Sequence, residues 1–223
     1  MARAARNSVN KMPITKLRVR RSSQSGINVI ELAVVLAASL ILTAISMPSF
    51  FSMRRNFRAL GDARDVAAQI LLAKMRASSD FTQARARFNT AANTFQLEIW
   101  DKTSSSWVLD APTGTNSFSS GVTLGYGAQT NPPSGTQSSI GQAEACYSGA
   151  SGASPGTAIA NTTCVTFNSR GIPIDHTGAT TSNDAIYITD GSGVYATTIS
   201  ATGLLKSWRI GATDTVQAHW NQR

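Results

Sequence analysis

The sequence predicts an α+β protein. A long N-terminal helix, transmembrane in its first half, packs on a C-terminal antiparallel β-sheet head. The run from Ile27 to Met47 is apolar apart from one acidic side chain, and about 20 apolar residues suffice for a helix to cross a bilayer. Beyond Ser79 the hydrophobic period changes from that of a helix to that of a strand.

These patterns divide the chain into five segments. Residues 1–26 form a basic leader, and residues 27–47 form the transmembrane half of the helix. Residues 48–79 form its amphipathic half, which we expect outside the membrane. The β head follows at 80–210, and a C-terminal tail at 211–223 completes the chain.

The amphipathic half carries apolar residues at helical spacing between Phe57 and Leu71, which indicates one buried stripe. Arg58 and Asp62 lie four residues apart, and we expect them to pair on the solvent side. Pro48 stands at the junction of the two halves. It should bend or break the helix there, because a proline ring removes one backbone hydrogen bond.

The first strands of the head are predicted from alternation. Residues 95–99 alternate apolar and polar side chains, and residues 107–109 form a partner strand beyond a turn. From 111 to 162 the chain is rich in Gly, Ser, Thr, Ala, Asn and Pro, which predicts long loops with one short strand near 122–126.

The last third is the most regular part of the head. Residues 185–189, 194–200 and 204–210 read as strands, and glycine-containing turns separate them. The pattern predicts an antiparallel meander.

The formal net charge of +8 by itself suggests binding to nucleic acid, but the charge is unevenly distributed along the chain. The leader holds seven basic residues and no acidic one, so the rest of the chain carries 13 basic against 12 acidic residues. Positive charge before an apolar span keeps that end in the cytoplasm. The head is therefore predicted on the other side, which in a bacterium is the periplasm.

The two cysteines, Cys146 and Cys164, are expected to form a disulfide outside the cytoplasm, with free thiols as the alternative. Closing such a loop would contribute on the order of 3 kcal/mol. The chain has only His176 and His219, and neither belongs to a metal-binding motif. We expect no metal and no cofactor, and Asp175-His176 is interpreted as a solvated turn rather than a catalytic dyad.

Glu31 is the most informative residue, because a charge inside an apolar span is costly and marks function by default. Cleavage after Gly26 would make Ile27 a new N-terminus. Its amine would then lie one helical turn from the Glu31 carboxylate. A neighbouring subunit could bring its own amine to the same carboxylate.

The segment from Gly26 to Glu31 resembles the class III signal of type IV prepilins and type II secretion pseudopilins. In that family a prepilin peptidase cuts after the glycine and N-methylates the next residue, here Ile27. Glu31 would be the fifth mature residue, as in the family, and Pro48 matches a proline that many pilins carry. The chain departs from the family in having Ile27 for Phe or Met and in its long leader, which a start at Met12 would shorten.

Within that family the chain resembles the GspH/FimT branch, through the stretch ARDVAAQILLAKMRASSDF and the turn Phe167–Pro173. The resemblance implies a minor pilin or pseudopilin, a structural subunit of a type IV pilus or a type II secretion pseudopilus and not an enzyme. It implies a single-pass protein of the bacterial inner membrane, with a cytoplasmic N-terminus and a periplasmic head, that later enters a filament. Its partners would be the prepilin peptidase and other pilin subunits.

Three alternatives stay open. A DNA-binding minor pilin would use Lys206, Arg209 and Arg223, with Trp208 and Trp220 stacking on bases. An ordinary secretory signal, with the small-x-small site at 44–46, would release a soluble protein starting at Met47. A membrane-anchored enzyme is the third alternative, although no enzyme motif supports it.

Overall fold

A computed structural model describes Gly26 and residues 28–223, except for the side chains of Pro48, Ser49 and Ser52. It divides into two units, with the boundary between Ser46 and Met47. The predicted α+β class is confirmed. The described elements are helix α1 (Val29–Ser79), strands β1 (Ala84–Asn89), β2 (Thr94–Asp101), β3 (Ser106–Leu109), β4 (Thr115–Ser117), β5 (Thr123–Leu124), β6 (Thr162–Phe167), β7 (Pro173–Ile174), β8 (Ala185–Thr189), β9 (Gly193–Ile199), β10 (Leu205–Gly211) and β11 (Asn221–Gln222), and a 3₁₀ turn (Gln217–His219).

Asn28 begins helix α1. Its carbonyl accepts the first regular helix hydrogen bond, from the backbone N–H of Leu32 at 3.1 Å, and also one from the N–H of Glu31 at 2.9 Å, which is one of the free donors of the first turn. The helix continues past Pro48 and ends at Ser79. Phe81 follows in the left-handed region with φ 48°, and the chain then turns into β1.

The strands form two antiparallel sheets. The first has the order β3-β2-β1-β6-β7, with β4 also paired to β2. The second has the order β11-β10-β9-β8-β5. The predicted meander is its centre, because β8 pairs with β9 and β9 with β10 along their whole lengths.

The second half of α1 packs on these sheets through one stripe of small and branched residues. The buried helix positions are Ala59, Val66, Ile70, Ala73 and Ala77, and they join one core cluster with Phe88, Leu97, Phe167, Ile186 and Ile199 of the strands. Burying such side chains contributes about 1.5–3 kcal/mol each for the larger ones. The predicted helix-on-sheet packing therefore holds within residues 47–223.

Asp62 corrects the predicted Arg58–Asp62 pair. Its side chain is buried, and its carboxylate accepts hydrogen bonds from the backbone N–H and the hydroxyl of Ser119, both at 2.9 Å. The carboxylate therefore fastens the loop before β5 to the helix. Helical spacing predicted the solvent side for Asp62, because a partner 57 residues away in sequence leaves no local signal.

Lys74 fastens the helix to the other end of the head. Its ammonium donates to the Gly203 carbonyl at 2.9 Å, in the turn between β9 and β10. Gly171 and Gly203 both have φ near +72°, and a Cβ on Gly203 would lie 2.8 Å from the Gly171 carbonyl oxygen. The turn Phe167–Pro173 therefore meets the β9–β10 turn and the helix where only glycine fits.

The C-terminal segment is part of the second sheet rather than a tail beside it. β11 pairs with Trp208 and Arg209 of β10. Trp220 is buried, and its indole N–H donates to the Asn131 carbonyl at 3.0 Å. Leu204, which we expected in the last strand of the meander, precedes β10 and is exposed.

Candidate membrane and assembly site

The apolar first part of α1 is not covered by any other part of the described chain. Residues Val29–Met47 are long and apolar enough to cross a membrane, and none of them is buried. Their large side chains are exposed, among them Val35 at 60 %, Leu40 at 69 % and Ile45 at 71 %. A surface of this kind requires lipid or other apolar helices around it.

The hydroxyl groups of this span are satisfied inside the helix. Ser39, Thr43 and Ser46 each donate to a backbone carbonyl three or four residues earlier, at 2.8, 2.7 and 2.8 Å. Such back-bonding removes much of the cost of placing a hydroxyl in hydrocarbon.

Glu31 is the one charged side chain of the span, and it lies exposed in the first turn of the helix. There the unpaired backbone N–H groups give the helix end a partial positive charge, which favours a carboxylate. Within Gly26 and residues 28–223, no ion pair involves Glu31. The carboxylate is thus available to a cation from outside this part of the chain.

Only one of the two residues at the predicted cleavage site is described by the structure. Gly26 is exposed, and a Cβ built on it meets open space. The packing of the described residues therefore imposes no requirement for glycine at this position. Ile27, with its predicted cleavage and N-methylation, lies outside the described residues. The bend predicted at Pro48 stays a prediction, because only its place within α1 is described.

Cys146 and Cys164 form the predicted disulfide. Both are buried, and the bond joins the loop before residue 147 to strand β6. Two backbone hydrogen bonds support the same junction, from Ile159 to the Cys146 carbonyl at 2.7 Å and from Cys164 to the Glu144 carbonyl at 2.8 Å.

Of the three cations proposed for DNA, Lys206 lies apart from the other two. Lys206 and Arg209 are three residues apart on β10, so their side chains project from opposite faces of the strand. The Arg209 guanidinium lies 5.5 Å from the centre of the Tyr195 ring, on the face turned towards the helix. Arg223 lines a cavity of about 380 Å³ whose wall includes the same Tyr195, together with Arg64 and Trp208. The expectation that Trp220 is free to stack on bases is wrong, because its ring is buried.

The sequence analysis missed a buried charge cluster between β1 and β2. Glu98 accepts from Arg85 at 2.7 Å and from Arg87 at 2.9 Å, and the Arg85 guanidinium lies 4.0 Å from the centre of the Trp107 ring. Burial lowers the pKa of Arg85, and Glu98 opposes that effect. The two arginines lower the pKa of Glu98 despite its burial. The alternation of Arg85 and Arg87 with Ala84, Ala86 and Phe88 was the available signal for a strand.

The Asp175-His176 turn exists as predicted, since the Asp175 carboxylate accepts from the backbone N–H groups of Thr177 and Ala179. His176 is less solvated than expected. Its Nδ1 lies 2.8 Å from a Glu144 carboxylate oxygen, and its ring stacks on Tyr147 with centroids 4.4 Å apart. In the described part of the chain, no group of three or more metal-ligating side chains is gathered.

Comparisons with known proteins found no matching family model, no matching curated protein and no matching solved structure.

Proposed function

We propose that this chain is a minor pilin or pseudopilin, a structural subunit of a type IV pilus or of the pseudopilus of a type II secretion system. One observation carries the proposal. An uncovered apolar helix bears a single carboxylate in its first turn and leads into a folded head closed by a disulfide. An anchor for a lone enzyme has no use for a carboxylate at this position, whereas a subunit that stacks helix against helix does.

In this proposal the prepilin peptidase cuts after Gly26 and N-methylates Ile27 in the inner membrane. The open space around Gly26 supports recognition of this glycine by the peptidase. The new amine, or that of a neighbouring subunit, then pairs with Glu31 as the helices leave lipid for the filament core. An unpaired charge in such an apolar core costs several kcal/mol, so pairing selects correctly staggered subunits.

The head works in the periplasm in this proposal, and the subunit enters the filament after extraction from the membrane. The buried disulfide supports that side, because disulfides persist in oxidising compartments such as the periplasm. The head would contact other minor pilins or pseudopilins. DNA binding is the alternative, and the projection of Lys206 and Arg209 from opposite faces of β10 argues against one continuous phosphate-binding track.

Replacing Glu31 by valine tests the assembly role. Glu31→Val removes a charge from the span, so the variant should insert into the membrane at least as well as the wild type. Its share in sheared filaments should fall by about tenfold or more, because one uncompensated charge costs more than 1.4 kcal/mol. Filament and membrane fractions are compared by quantitative immunoblotting.

Ser39→Val is the matched control. It changes the same helix to the same residue, and it removes only a hydroxyl that is satisfied within the helix. Its share in filaments should match the wild type. Equal incorporation of Glu31→Val and Ser39→Val would remove the assembly role from Glu31.

A further inference from the structure

Three arginines follow the apolar span within a short distance. Arg54, Arg55 and Arg58, here called the arginine collar, are all exposed on α1. They line an open cavity of about 550 Å³ with Phe51, Ser120, Gly121 and Asp190. Arg54 lies seven residues beyond Met47, or roughly 10 Å at 1.5 Å per residue.

The collar is not neutralised by the head. In residues 28–223 none of the ion pairs involves a collar arginine. Asp190 is the one acidic residue that lines the cavity. Its carboxylate already accepts from the backbone N–H groups of Ser192 and Gly193, both at 2.9 Å, and from the Ser192 hydroxyl at 2.8 Å. The nearby Asp62 carboxylate is likewise held by Ser119. The cavity therefore presents net positive charge.

Large apolar side chains surround the collar and are also uncovered. Phe50, Phe51 and Phe57 are 59, 58 and 63 % exposed, and Met53 is 56 % exposed. Exposed phenylalanine beside basic side chains on a helix is typical of segments at the boundary between hydrocarbon and headgroups. At that boundary long arginine stems stay in the apolar layer while their guanidinium groups reach the phosphates.

We propose that the arginine collar binds the phosphate groups of anionic phospholipids in the leaflet next to the head. The polar layer of a bilayer adds roughly 5–8 Å on each side of the hydrocarbon. The Cα of Arg54 lies about 10 Å past the span, but side chains on a helix point back towards its N-terminus, so the long Arg54 side chain reaches back into that layer. A guanidinium donates two parallel hydrogen bonds to a phosphate, and three guanidinium groups around one concave surface accommodate one or two headgroups. The contact fixes the depth of the helix in the membrane. It depends on anchoring of the helix and is independent of filament assembly.

Lipid retained by the full-length chain tests the proposal. The protein is reconstituted in vesicles of three parts phosphatidylcholine to one part phosphatidylglycerol, extracted in mild detergent and analysed by native mass spectrometry. Relative to the vesicle mixture, the wild type should retain phosphatidylglycerol over phosphatidylcholine by about fivefold or more, the effect of one or more basic groups at an anionic surface. The variant R54Q/R55Q/R58Q should retain the two lipids in the ratio of the mixture.

The control variant R64Q/R170Q/K206Q loses the same charge from exposed positions elsewhere on residues 47–223 and should behave as the wild type. Circular dichroism should show equal helix content in all three proteins. Equal phosphatidylglycerol retention by the wild type and the collar variant would overturn the proposal. Displacement of the lipid by millimolar inorganic phosphate would overturn it too, by identifying a site for small anions. A protein dimer that disappears in the collar variant, with lipid retention unchanged, would assign the collar to a second copy of the chain instead.

Discussion

At the scale of single residues, the buried environment of Asp184 disfavours the negative charge that an aspartate ordinarily carries. Burial raises its pKa to about 7, and the negative charges of Glu144 and Asp175 add to the effect. In the unfolded chain the same carboxyl ionises near pH 4. Between these values the folded state holds a proton that the unfolded state has released. The contribution of Asp184 to the free energy of unfolding is therefore fully present below about pH 4 and is lost as the pH rises towards 7.

Asp184→Asn should remove this pH dependence. Urea unfolding of the wild type should show its free energy of unfolding falling by a few kcal/mol between about pH 4 and pH 7, and the variant should lose most of that fall and be the more stable protein at pH 7. Asp101→Asn is the control, because hydrogen bonds from Ser104 and Thr103 lower the pKa of Asp101. Its effect lies below about pH 4. If the free energy of unfolding fell equally in Asp184→Asn and in the wild type, another titrating group would be its cause.

At the scale of elements, the disulfide ties a loop to a strand. Cys146 and Cys164 are 18 residues apart, so the bond restricts a moderate loop in the unfolded chain. The variant C146S/C164S should lose on the order of 3 kcal/mol of unfolding free energy. Hydrogen exchange should quicken most in the loops between 111 and 162 and least in β8–β10. A uniform increase over both regions would contradict this local role.

The contact between the two turns at Gly171 and Gly203 gives a second prediction at this scale. Gly203→Ala places a Cβ 2.8 Å from the Gly171 carbonyl oxygen, in addition to the strain of its positive φ. Gly191→Ala has a similar φ of 79° and open space around its Cβ, so it carries the strain alone. We expect a loss of about 1–2 kcal/mol for Gly191→Ala and at least about 1 kcal/mol more for Gly203→Ala. Equal losses in thermal or urea unfolding would show that the turns separate freely.

Local patterns predicted those elements whose partners are near in sequence. The alternation in β2 and the glycine turns of the β8–β10 meander are of this kind. Strand β1 was missed because Arg85 and Arg87 fill the positions where a half-exposed strand shows neutral polar residues. The carboxylate that balances their charge, Glu98, lies on the neighbouring strand β2. The sequence predicts Asp62 on the solvent side of the helix and Trp220 in a C-terminal tail. Their hydrogen-bond partners, Ser119 and Asn131, are 57 and 89 residues away, so no local pattern reveals them.

The candidate site was predicted unevenly for the same reason. The apolar span and the cysteine pair were identified from composition and compartment, and both agree with the structure. The sequence does not reveal the arginine collar, because the cavity that the collar lines also involves the loop at Ser120 and Asp190, which are distant in sequence. The processing of Gly26 and Ile27 and the role of Glu31 stay predictions, because they concern partners that act on the chain.

At the scale of the whole molecule, the proposal joins a membrane anchor to a head that assembles. The described span can cross a bilayer, and the head has its own core and disulfide. The near-neutral charge beyond the leader favours contacts with other protein subunits over a nucleic acid. What distinguishes a prepilin-like subunit from an ordinary anchored or secreted protein is the place at which the N-terminus is cut.

The mass of the mature chain tests that distinction most directly. The full-length protein is co-expressed with a prepilin peptidase, and intact and N-terminal peptide masses are measured. The account predicts a chain that begins with N-methylated Ile27, and it predicts that Gly26→Val remains uncut although a Cβ at this position meets none of the described residues. A chain left uncut by the peptidase, or one that begins at Met47, would contradict the central claim.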